Sequence, residues 1–108
     1  MSLDASALGD KMISAGSEAF GAQWKVAQSF AEAEFRTLAT RLETIAQQVA
    51  QGLDPELAKI LFESQKRTAI QLIAGATALT ILAVEAAINA VLAVVRNAVN
   101  TALGFTLF

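Results

Sequence analysis

At 108 residues and 11.3 kDa, the chain is long enough for one domain with a modest core and too short for two that each fold alone. Hydrophobic residues make up 55% and charged residues only 17%, which excludes intrinsic disorder. With no cysteine, no histidine and a formal charge of -2, the chain has no means of forming a disulfide scaffold or a thiolate or imidazole metal site, and no excess of positive charge for a phosphate backbone.

Residues 1–10 are small and polar, without the basic and then apolar regions of a cleaved secretory signal. The expected location is therefore the cytoplasm, or an extracellular assembly reached without such a signal. A helical pattern starts between Asp10 and Ser17, with Gly16 and Gly21 weakening its first turns. From Trp24 the apolar spacing is regular. Trp24, Ala27, Ala31, Phe35, Leu38, Leu42, Ile45 and Val49 recur every three or four residues and share one face, so the first helix, about residues 14–51, is amphipathic. Phe20, Trp24, Phe30 and Phe35 form an aromatic group suited to core or interface packing.

Residues 52–54 read as a turn. Gly52 closes the first helix, Asp54 is placed to cap the next, Pro55 fits the first helical position and Glu56 suits the positive end of the dipole. A connection this short returns the chain alongside itself. The second helix is expected over about residues 55–102, at about 1.5 Å per residue a rod of roughly 65 to 70 Å against roughly 50 to 55 Å for the first. The arms are unequal, so either the N-terminal segment folds back as a third short helix or another subunit covers the far end.

Glu56, Lys59, Glu63, Lys66 and Arg67 keep the start of this helix water-compatible, whereas from Thr68 to Phe108 only Glu85 and Arg96 carry side-chain charge. Beyond Arg67 the apolar residues cover most angles around the axis, as in a helix buried on nearly all sides. Protein or lipid can supply that burial. Small residues mixed with Leu, Ile and Val suit a bundle shared among subunits. Alternatively, the uncharged stretch 68–84, extended to residue 95, reaches the roughly 20 residues that cross a bilayer, with Lys66 and Arg67 holding the N-terminal half on the cytoplasmic side.

The fold expected is thus all-α: an antiparallel helical hairpin with a long hydrophobic second helix, packed in a homo-oligomeric bundle or filament as a single domain over residues 1–108. Its general plan resembles the subunits of secretion-system needles and of some conjugative or viral filaments, an architectural likeness that carries no residue across. The expected partner is a second copy of the chain. Candidate assembly residues are Trp24 and Phe35 on the first helix, Leu79, Ile81, Glu85, Ile88, Asn89, Val91, Val95 and Arg96 on the second, and Phe105 and Phe108 in the tail. Glu85 and Arg96, about three turns apart, could pair between chains and set register. The alternative is a small integral membrane protein with its span near residues 68–95, placed in the inner membrane as a pore-forming oligomer or anchor, with lipid as partner.

No catalytic apparatus is visible. Ser14, Ser17 and Ser29 have no histidine to activate them, and Gly16 and Gly21 do not form a phosphate loop. Glu34, Glu43, Glu63 and Glu85 invite comparison with two-metal helical bundles, but those sites need a Glu-x-x-His spacing that this chain lacks. No cofactor is expected, no nucleic acid, and no enzymatic activity.

Overall fold

The computed structural model describes residues 3–108, which form four α-helices joined by short connections: α1 (Ala5–Phe20), α2 (Trp24–Ala50), α3 (Pro55–Thr77) and α4 (Ile81–Leu103). The result is an all-α bundle with one long apolar helix, and the two-helix hairpin is overturned at two places.

The first is the N-terminal segment. It folds back as α1, starting at Ala5, well before the expected residue 14. Asp4 takes an extended backbone conformation, and its side chain accepts the Ser6 N–H, satisfying one of the free donors of the first turn. A second comes from α2: the Glu43 carboxylate accepts the Ala5 N–H at 2.9 Å. Helix α1 ends at Gly21, whose φ of 60° is a conformation that costs glycine little, and a single 3-10 turn, Gly21–Gln23, leads into α2. The two helices run antiparallel, since Ala5 meets Glu43 and, further along α1, Asp10 meets Arg36 at 2.8 Å.

The second is the rod expected over 55–102, which is broken at residues 78–80. Ala78 has φ 61°, the left-handed conformation that ends many helices, and its N–H still bonds to the Ala74 carbonyl. Thr77 and Thr80 complete the break. The Thr77 hydroxyl donates to the Ile73 carbonyl at 2.6 Å and accepts the Leu79 N–H, while the Thr80 hydroxyl caps α4 by accepting the Ala83 N–H at 3.1 Å. Helices α3 and α4, 23 residues each, are therefore about 35 Å long and lie side by side.

Between α2 and α3, Gly52 has φ 107° and Pro55 opens α3. Asp54 occupies the capping position with an extended backbone, although its side chain makes no capping bond. Helix α1 packs on both α2 and α4, α2 packs on α3, and α3 meets α4 more lightly. The core runs through the whole bundle, from Met12 and Phe35 through Leu38, Leu42 and Phe62 to Ile88, Val91 and Val95. A radius of gyration of 13.4 Å, against about 13 Å for a compact chain of this length, shows that the chain is compact. The longest dimension, 40 Å, is the length of α2. The filament-subunit likeness, which rested on a helix, a turn and one longer helix, does not describe this bundle.

Candidate functional site

Because α1 and α2 are antiparallel and α3 turns directly into α4, the connections at 21–23 and 78–80 lie at one end of the bundle. The 51–54 connection lies at the other. At the first end the α3–α4 side is apolar, while Glu18 and Lys25 stand exposed beside the α1–α2 connection. No residue from 68 to 84 carries a charge, and Leu72 (52% exposed), Ile81 (57%) and Leu82 (77%) stand in solvent around the α3–α4 connection. Further down α4, Val94 is also 57% exposed.

Helix α4 itself divides into two faces. Val84, Ala87, Ile88, Val91, Leu92, Val95, Val99 and Leu103 are buried against the other helices. The outward face holds Ile81, Leu82, Ala86, Asn89, Ala90, Ala93, Val94, Arg96, Asn97 and Thr101. Apart from Glu85, Asn89, Arg96, Asn97, Asn100 and Thr101, every residue of α4 is apolar. It is the one helix among the described residues that is long and apolar enough to cross a membrane, and within its most apolar stretch 33% of the residues are buried inside the bundle. A rod of about 35 Å exceeds the roughly 30 Å hydrocarbon core of a bilayer.

The structure separates the candidate assembly residues into three groups. Phe35, Ile88, Val91 and Val95 are buried in the chain's own core. Trp24, Leu79, Phe105 and Phe108 are half-buried and pack against that core. Ile81, Asn89 and Arg96 are exposed, with Glu85 half-exposed beside them. Glu85 and Arg96 take part in none of the ion pairs among the described residues, which are Asp10–Arg36, Glu56–Lys59 and Glu63–Lys66. Asn89 accepts a hydrogen bond from Lys66 Nζ at 3.3 Å, linking α4 to α3.

Phe20, Trp24 and Phe35 form a tilted aromatic cluster, with ring centroids 5.7 Å apart for Phe20–Trp24 and 6.4 Å for Phe20–Phe35. Phe30 is excluded from it and faces solvent. Phe62 instead stacks on Phe108, centroids 4.8 Å apart.

Comparison with protein-family models, with curated proteins and with solved structures finds no match.

Among the described residues no polar or charged side chain is buried, and no three acidic residues gather where a metal ion could sit. Glu34 is half-buried on α2, and burial pushes its carboxyl above the ordinary glutamate range. An apolar-lined groove of about 370 Å³ lies open between the first turns of α1 and the last third of α4, bordered by Leu3, Ala7, Leu8, Lys11, Asn97 and Thr101. What the molecule presents most clearly is apolar surface around the α3–α4 connection, continuous with an apolar helix.

Two features escaped the sequence pattern. Glu43, compared above only with metal-binding carboxylates, bonds to the first turn of α1. Asn100 holds the C-terminal tail with both ends of its amide.

Proposed function

We propose that the chain is a small membrane protein that uses α4 as a bilayer-spanning anchor, with α1–α3 on the side of Lys59, Lys66 and Arg67. The observation that carries this reading is the outward face of α4, where Ile81, Leu82 and Val94 continue into the uncharged α3–α4 connection. A lone chain in water leaves that surface exposed at a cost of about 25 cal/mol for each Å².

The span is energetically marginal. Ten Leu, Ile and Val residues contribute about −0.3 to −0.6 kcal/mol each on an insertion scale, against about +2.5 to +3.5 for each charge at mid-span. Glu85 lies well off the middle of the helix and Arg96 about one turn from it. Glu85 is in its second turn, near one interface, and the stem of Arg96 can carry its guanidinium toward the other. Moving α4 from the bundle into lipid keeps its buried face out of water, while the faces of α1–α3 that it covered must close on one another or lie against lipid. The function is non-catalytic, and lipid is the partner.

The test is fractionation of the full, untagged chain. Recovery with membranes and resistance to alkaline carbonate are expected; a chain that stays wholly in the soluble fraction when membranes are present would overturn the reading. Self-assembly is a second reading, favoured by Leu57, Ile60 and Leu61, which stand exposed on one side of α3 at i, i+3 and i+4 spacing. A defined detergent-free oligomer or polymer would select it.

A further inference from the structure

After α4 the chain reverses at Gly104, φ 83°, and residues 104–108 fold back along the helix that precedes them. Asn100 holds them there. Its Nδ2 donates to the Phe108 carbonyl at 3.1 Å, and its Oδ1 accepts the Leu107 N–H at 2.8 Å. The reversal buries Leu107 in the core and stacks Phe108 on Phe62 of α3, with ring planes 17° apart. Helices α3 and α4 pack only lightly on each other, and the one side-chain hydrogen bond between them among the described residues is the exposed Lys66–Asn89 bond. At this end of the bundle, the tail joins the two helices.

That contact conflicts with a spanning α4. With α4 across a bilayer, its two ends lie on opposite faces, about 35 Å apart. Phe62 belongs to the stretch of α3 that carries Lys59, Glu63, Lys66 and Arg67, which stays in water on the near side. Phe108 follows the far end of α4. The Asn100 bonds to the tail lie within about two turns of sequence and survive in either arrangement, but the Phe62–Phe108 stack cannot.

Resting on the membrane reading above, we infer that residues 104–108 are an autoinhibitory strap: the Phe62–Phe108 contact holds α4 in the closed bundle, and its release precedes insertion. The absence of cysteine permits a clean test. In a Phe62→Cys/Phe108→Cys chain joined by a short, reductively cleavable bis-maleimide, tail and α3 cannot part. Insertion is read as carbonate-resistant flotation with phosphatidylcholine/phosphatidylglycerol vesicles. The linked chain should insert at least tenfold less than the same chain after cleavage, and Phe108→Ala should insert several-fold faster than the parent. Equal insertion of linked and cleaved chains, or an unchanged rate for Phe108→Ala, would overturn the strap while leaving the span intact. Failure of the parent chain to insert at all would overturn the membrane reading and the strap with it.

Discussion

Gly16 of α1 lies directly beneath the indole of Trp24: a Cβ at Gly16 would sit 2.6 Å from two atoms of that ring and 3.1 Å from the Phe35 ring. The missing side chain is what allows the start of α2 to fold over the end of α1. Gly16→Ala should therefore lose stability despite the better helix propensity of alanine, since overpacking of a tight contact costs about 1–3 kcal/mol. Gly75, by contrast, has open space around its Cβ position, and Gly75→Ala should gain about 0.5–1 kcal/mol. Urea unfolding of the two variants should show midpoints shifted in opposite directions.

Ala78 adopts a left-handed backbone conformation at φ 61°, which costs a non-glycine residue about 1–2 kcal/mol. Ala78→Gly should relieve most of that and stabilise the chain by up to about 1 kcal/mol, measured by thermal or denaturant unfolding. A loss of stability would mean that α3 and α4 are one continuous helix in solution.

The seam from Trp24 to Val49 was legible because α2 is long and one-sided: Ala27, Ala31, Phe35, Leu38, Leu42 and Ile45 are all buried, with Trp24 and Val49 half-buried at its ends. Gly52 and Pro55 likewise mark their connection by residue type. The break at 78–80 carries neither glycine nor proline. Its signal is Thr80, a capping residue inside an apolar run, and reading through it merged two helices whose buried faces differ. Much of the all-round apolarity expected of a single second helix arises from that merger. Hence Ile88, Val91 and Val95 read as interface candidates, although they fill the core of one chain. The Asn100 clasp was illegible for another reason. It depends on where Gly104 sends the chain, which spacing does not encode.

The two faces of α4 should respond differently to charge. Leu82→Asp, at a position 77% exposed, should alter unfolding stability by no more than about 0.5 kcal/mol and reduce vesicle binding at least tenfold. Val91→Asp would bury an unpaired carboxylate and should abolish cooperative unfolding altogether. Circular dichroism melts together with vesicle flotation distinguish the two.

Glu34 should leave a pH signature. Burial raises its carboxyl above the ordinary value of 4.5, so the folded state favours the protonated form. The stability that form confers is present below the unfolded value and is lost as pH rises through the raised one. Glu34→Gln should therefore raise the melting temperature at pH 7 and leave it unchanged at pH 3, and a gain of equal size at both pH values would contradict this account.

The central claim is that α4 enters the bilayer. The most direct measurement places a single cysteine at Val94, near the middle of α4 and exposed in the closed bundle, labels it with an environment-sensitive fluorophore, and adds vesicles whose lipids carry bromines at known depths. A spanning α4 predicts blue-shifted emission quenched most strongly by bromines deep in the acyl chains, while the same label at Ile60 on α3 keeps water-like emission. Equal, water-like emission from both positions in the presence of vesicles would contradict it.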